Sequence, residues 1–200
     1  MNKTYIGGKI TQPKFSHVSR GVNMYEFTIE NERFSGIIDK IPCIANQEII
    51  DSLSDNDKMY GLTGQIHTRN YKRLDGTSAC EVRFFAKKFE GCMNYCQNIV
   101  ELEGNICKTP IYRKTPSGRD ICDLLIATNR ENGKSDYIPC IVWGAVAVGC
   151  ANLAVGTRVK GIGRFQSREY LKHYADGTEE VKTAYEVSIN KLEVVTNENV

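Results

Sequence analysis

The 200-residue sequence predicts an all-β chain built twice, with one short helix in each half. Two observations carry this. Side chains alternate between apolar and polar with a period of two over most of the chain, the pattern of half-buried strands. In addition, separate segments return at a nearly constant offset. Residues 39–44, Asp-Lys-Ile-Pro-Cys-Ile, return as Asp-Tyr-Ile-Pro-Cys-Ile at 136–141. Residues 64–71, Gly-Gln-Ile-His-Thr-Arg-Asn-Tyr, return as Gly-Arg-Phe-Gln-Ser-Arg-Glu-Tyr at 163–170, and Asp75-Gly76 returns as Asp176-Gly177. The offset of roughly 100 residues is a whole domain rather than a solenoid repeat of about 20–50. The expected units are residues 1–90 and 98–195.

In the second half, Asn98–Lys108 reads as a strand and Pro110–Gly118 as a turn. Strands follow at Arg119–Thr128 and Ser135–Trp143. The small apolar residues of Gly144–Val155 form a helix stopped by Gly156. Thr157–Tyr170 is a long strand bent at Gly161 and Gly163, where side chains are missing. An Asp-Gly hairpin turn over Tyr174–Thr178 leads to the last strand, Val181–Val195. The first half repeats the order: strands at Thr4–Thr11, Asn23–Asn31 and Gly36–Ile44, a helix near Asn46–Leu53, then strands at Lys58–Tyr71 and Ala79–Phe89. Ile49, Ile50 and Leu53 give that helix its apolar face, and the polar residues from Ser52 to Asp57 end it. Gly91–Gln97 joins the halves and is too short for a flexible tether, so the units should pack together. Three strands, a helix and two strands in about 100 residues is the order of a five-stranded Greek-key OB barrel. The fold class is therefore two tandem OB barrels.

Composition is that of an ordinary globular chain, 41% hydrophobic and 25% charged. No apolar run reaches the ~18 residues of a membrane span, and the N-terminus lacks a signal-like apolar core. A cytoplasmic, reducing setting is expected, with no membrane partner. Lys and Arg number 26 against 24 Asp and Glu, so charge alone does not announce nucleic-acid binding; local placement decides it. Cys43, Cys80, Cys107, Cys122 and Cys140 read as small buried hydrophobes. Cys92 and Cys96 lack the second pair that a zinc site requires. No cofactor or metal is expected.

No catalytic constellation is present: no phosphate-binding glycine loop, no His-Glu-x-x-His and no nucleophile elbow. His17, His67 and His173 read as ordinary surface or turn histidines. The signal lies where aromatics meet bases. Strand alternation puts Ile138, Cys140 and Val142 toward the core and Tyr137 and Trp143 on the opposite face. It likewise groups Arg164, Gln166, Arg168 and Tyr170 opposite Phe165. Such a stripe can neutralise phosphates and stack bases, each stack worth ~1–3 kcal/mol whatever the base.

The second half resembles the OB-type bacterial single-stranded DNA-binding proteins. The resemblance rests on Val100–Ile106, then Pro110, Arg113, Thr115–Gly118 and Ile126–Asn129, together with the strands Tyr137–Gly144 and Gly163–Tyr170. It implies base stacking on Tyr137, Trp143 and Tyr170. A further family aromatic, expected just after Asn129, is absent. The first half is more distant; its hairpin carries over Arg69 and Tyr71, while Lys40 and Asn46 stand where the second half has Tyr137 and Trp143. Arg164, Arg168, Arg113 and Arg130 complete the expected DNA contacts. The tandem variety of this family forms homodimers with four barrels. The sequence stops at Thr196–Val200 without the family's linker and acidic tail, so tail-mediated partner recruitment is not carried over; a primosomal, plasmid or phage variant would look like this.

The expected function is sequence-independent binding of single-stranded DNA in replication, recombination or repair, without catalysis. RNA fits the same stacking surface. Two rivals remain at this point: an OB-based replisome adaptor that binds protein, favoured by the near-neutral charge and the depleted first half, and a metal-dependent nuclease, disfavoured by its scattered carboxylates.

Overall fold

The computed structural model describes residues 1–53, 58–73, 75–174 and 176–196. The first half holds β1 (Asn2–Ile10), β2 (Lys14–Ser19), β3 (Val22–Glu32), β4 (Ile38–Asn46), α1 (Gln47–Asp51), β5 (Met59–Lys72) and β6 (Ser78–Met93). The second holds β7 (Gln97–Ile106), β8 (Ile111–Lys114), β9 (Asp120–Asn129), β10 (Ser135–Trp143), α2 (Ala145–Cys150), β11 (Arg158–His173) and β12 (Glu179–Val194).

Each half closes into an OB barrel. In the first, β1 pairs with β3 and β5, β3 with β4, β4 with β6 in parallel, and β6 with β5. In the second, β7, β9, β10, β12 and β11 close the same ring, again with one parallel step, between β10 and β12. Closure removes the edges from each five-stranded sheet. The inward alternates fill the barrels: Ile6, Ile29, Ile41 and Phe84 in one, Leu102, Ile126, Ile138 and Phe165 in the other, all fully buried.

The bend expected at Gly163 is present, the register runs regularly through Gly161, and the first half has a matching irregularity at Gly64. The β11–β12 register shifts between Ile162 and Gly163, and the β5–β6 register between Thr63 and Gly64. A Cβ on Gly64 would stand 2.0 Å from the Phe85 carbonyl oxygen, and one on Gly163 would stand 2.1 Å from that of Ser188. No larger residue permits that approach. The bulge lets one long strand close its barrel at one end and project as a hairpin arm at the other.

Several expectations need correction. The segment expected as a turn over Pro110–Gly118 contains the short strand β8, and its counterpart β2 was not anticipated. Both are short, mostly exposed strands paired to one neighbour, so they lack the apolar alternation that marks a strand. Helix α2 ends at Cys150, well before Gly156, and α1 ends at Asp51. Strand β6 runs to Met93, leaving only residues 94–96 between the halves. Cys80 is exposed rather than buried, because it lies on the β5–β6 arm beyond the barrel core. The polar helix stop partly falls on residues 54–57, the second hairpin turn includes residue 175, and the chain end includes 197–200; these lie outside the described residues.

The barrels are joined about a pseudo-two-fold axis. Strands β1 and β7 pair antiparallel from Asn2↔Leu102 to Gly7↔Gln97, merging both barrels into one continuous sheet. A reciprocal clasp reinforces this. The fully buried Asp39 carboxylate accepts from the Ser167 backbone N–H at 2.9 Å and holds Arg33 bidentately. Its repeat equivalent Asp136, also fully buried, accepts from the Thr68 backbone N–H at 2.5 Å and holds Arg130. The next residue reaches across in both cases: Lys40 N–H donates to Ser167 Oγ and Tyr137 N–H to Thr68 Oγ1, each at 2.9 Å.

Removing Asp136 strands a part-buried guanidinium and a backbone N–H together. Asp136→Ala is expected to cost about 3 kcal/mol in urea unfolding, and Asp136→Asn, which keeps an acceptor for Thr68, clearly less. A loss under about 1 kcal/mol in the alanine variant would show that the clasp is not structural.

Candidate nucleic-acid interface

The clasp has a geometric consequence. Each β3–β4-type turn reaches over the other barrel, so each barrel face carries a groove with walls from both halves.

The groove on the second barrel has a volume of about 820 Å³. The second half supplies Trp143 from β10, Arg164 and Arg168 from β11, Tyr185 and Ser188 from β12, and Arg119. The first half supplies Arg33, Ile38 and Lys40. The Trp143 indole N–H donates to Ser188 Oγ at 3.1 Å, which fixes the ring's orientation and leaves it part exposed. Arg33 is neutralised by Asp39 and Arg168 by Glu186 at 3.1 Å. Among the described residues, Lys40, Arg119 and Arg164 form no ion pair. Burial, and then the neighbouring Arg33 cation, pull the Arg164 guanidinium below its ordinary pKa. Arginine stays charged at any working pH, so this is a desolvated cation beside another cation. An incoming anion would relieve both costs.

The groove on the first barrel has a volume of about 660 Å³. His67 and Arg69 from β5, and Arg83 and Phe85 from β6, line it with Glu26 and Glu81. Arg130, Lys134 and Ser135 enter from the second half. Where the second groove has Trp143, this half has Asn46, whose side chain turns back to cap α1, accepting from the Ile49 N–H at 3.1 Å. An aromatic platform exists nonetheless: His67 and Phe85 stack with centroids 4.7 Å apart and planes 22° apart.

The structure sorts the predicted residues. Tyr71, Tyr137, Trp143 and Tyr170 are 43%, 42%, 37% and 38% exposed, so none is sealed in a core. Arg168 lies over the Tyr170 ring at 5.8 Å and Arg69 over Tyr71 at 5.9 Å, a matched pair on the two hairpin arms. Trp143, Arg164 and Arg168 meet in the second groove, Arg69 and Arg130 in the first. Tyr137 and Trp143 share a strand face but stand six residues, or ~20 Å, apart, with Tyr137 beside Thr68 of the first groove. Arg130 is held by Asp136 and the Thr68 carbonyl. Arg113 lies outside both grooves, in a bidentate pair with Asp123 at 2.8 and 3.1 Å. Gln166, expected on the outward stripe, is buried and donates to Glu186, because the Arg33 turn covers it.

Sequence reasoning missed Lys40, Arg119, Arg83, Lys134 and the His67–Phe85 stack. By sequence, Lys40 reads only as the absence of a counterpart to Tyr137. The alternation that exposes Lys40 was legible, but the barrel it serves was not.

Burial, and then the Arg130 cation, push His67 down to about 4. The unfolded chain, with an ordinary histidine near 6.5, therefore takes up its proton first on acidification. Stability is full above about 6.5 and falls as the pH drops from there toward 4. His67→Phe should flatten this part of a thermal-melt profile against pH. An unchanged slope in that variant would place the proton uptake elsewhere.

Comparison with known proteins agrees with this geometry. The family model described as the single-strand binding protein family matches residues 97–195. A single-stranded DNA-binding protein of Enterococcus faecalis is 38% identical over 80 residues, covering 36% of this chain and 43% of that protein. Single-stranded DNA-binding protein 2 of Listeria monocytogenes is 36% identical over 80 residues, covering 36% of this chain and 50% of that protein. The match thus spans half or less of these relatives' length. In three dimensions the whole chain superposes on the wild-type single-stranded DNA-binding protein from Thermus aquaticus, with a TM-score of 0.79 at 19% identity, covering 95% of that chain. That likeness shows the tandem fold, and the family match places the second barrel, residues 97–195, in the single-strand binding protein family.

Proposed function

We propose that this protein binds single-stranded DNA without reading its sequence. The observation that carries this is the second groove, where Trp143 lies exposed beside Lys40, Arg119 and Arg164, three cations without carboxylate partners among the described residues. Phosphates following these cations release condensed counterions, and bases stack on Trp143 and, along the arm, on Tyr170. Stacking discriminates little among bases, because each offers a π face. The Arg168–Tyr170 contact braces the outer platform.

The relatives' names support this reading, and the geometry supplies a mechanism that needs no catalytic group or cofactor. Within the same proposal, residues 1–90 and 98–195 are the two units, and two copies of the chain associate into a cytoplasmic dimer of four barrels. Service in replication, recombination or repair follows from shielding exposed strands. No described helix is long and apolar enough to cross a membrane.

Trp143 fluorescence should be quenched on titration with oligo-dT. Trp143→Ala combined with Tyr170→Ala should weaken binding more than about tenfold at fixed salt; unchanged affinity would refute stacking. Log affinity should fall linearly with log salt, and Lys40→Ala with Arg164→Ala should reduce that slope by about 1.4, near 0.7 for each lost phosphate contact. Equal affinity for oligo-U and oligo-dT would widen the ligand class to RNA.

A further inference from the structure

The first barrel lacks aromatics at the positions of Tyr137 and Trp143, which by sequence leaves it a depleted copy. Its groove nevertheless contains an aromatic platform in another place. Phe85 stands on β6 opposite Gln65, the register position that Ser188 occupies opposite Arg164 on β12. In the second barrel Ser188 is the residue to which Trp143 is hydrogen bonded. Phe85 thus puts a ring on the same patch of barrel surface from the neighbouring strand, and His67 stacks against it.

The surroundings match nucleic acid in charge. Arg69, Arg83, Arg130 and Lys134 line the groove against the carboxylates of Glu26 and Glu81. Arg83 is paired with both of those glutamates, Arg69 with Glu81 and Arg130 with Asp136, whereas Lys134 forms no ion pair among the described residues and is the cation left for a phosphate. Phe85 also borders an adjoining hollow of about 520 Å³ that includes Arg20 and Lys87, so the basic track continues past the ring. Tyr137 of the second barrel is anchored at Thr68 on the rim.

We propose that this groove is a second single-stranded nucleic-acid site, in which Phe85, backed by His67, is the base-stacking platform and Arg130 and Lys134 of the other half complete the wall. The site rests on the proposed function above, because it takes the same ligand class. It goes further in assigning binding to the first barrel through residues that are not the repeat equivalents of the second barrel's aromatics. The first barrel's ring stands on β6, whereas the second barrel's stands at the end of β10.

The test uses the full chain and an oligo-dT of about 12 nucleotides, within the ~4–16 that one OB barrel covers. Calorimetry should count two such oligomers per chain. Phe85→Leu, which keeps an apolar side chain but removes the π face, should reduce the count to one while Trp143 quenching by the remaining oligomer is unchanged. Phe85→Tyr should restore the second. A longer oligo-dT able to span both grooves should bind Phe85→Leu about fivefold or more weakly than the parent. One oligomer per unsubstituted chain with Trp143 quenched, or two per Phe85→Leu chain, overturns this site and leaves the Trp143 groove standing. Failure of any oligomer to bind or quench the unsubstituted chain overturns both. Lys134→Ala, on an exposed turn, gives a check that does not disturb the barrel: it should lower the salt slope for the longer oligomer and leave Trp143 quenching by the shorter one in place.

Discussion

A buried carboxylate that serves two barrels at once is the constraint on which the rest of this structure depends. Asp39 and Asp136 each lie at the start of a core strand, fully withdrawn from water. An isolated buried charge would be prohibitive. Each is compensated by an arginine from its own half and by a backbone N–H from the other half. The carboxylates therefore cannot be satisfied by either barrel alone, and the two halves are held in one relative position. The β1–β7 ladder sets the same arrangement through main-chain bonds.

That arrangement, rather than either barrel separately, creates the grooves. Because each clasping turn lies over the opposite barrel, Lys40 and Arg33 serve the second groove, while Arg130, Lys134 and Ser135 serve the first. The repeat is symmetric in its scaffold and asymmetric in its surface. Asn2 and Asn98 make the same pair of bonds to the backbones of Ile66 and Phe165, closing the barrels alike. Trp143 and Asn46 have diverged instead, one aimed at a groove and the other turned into a helix cap. Core positions tolerate little change because packing is dense, whereas a groove lining can change one residue at a time.

Much of the fold was legible because closed barrels force strict alternation: Ile138, Cys140 and Val142 point inward, and Tyr137 and Trp143 outward, as the period of two requires. The two short strands β2 and β8 escaped notice because their residues are mostly exposed and carry no such pattern. Within the sites, exposure was legible and company was not. Tyr137 and Trp143 share a strand face, yet strand length separates them and places Tyr137 beside the other barrel's groove. Gln166 has the spacing of an outward residue, but a turn from the other half covers it. Arg130 and Arg113 have the right charge, and each already has a carboxylate partner.

The amino-acid sequence by itself determined the duplicated OB barrels, their strand faces, the glycine bend of β11 and the exposure of Trp143 and Tyr170. These follow from local rules, namely side-chain alternation, backbone sterics and a long repeat offset. Tertiary structure decided which cations surround which ring, which arginines are already neutralised, and that Phe85 and His67 form a platform in the half that had seemed to lack one. Those properties depend on contacts between residues 60 to 130 positions apart or on neighbouring strands, which no local periodicity encodes.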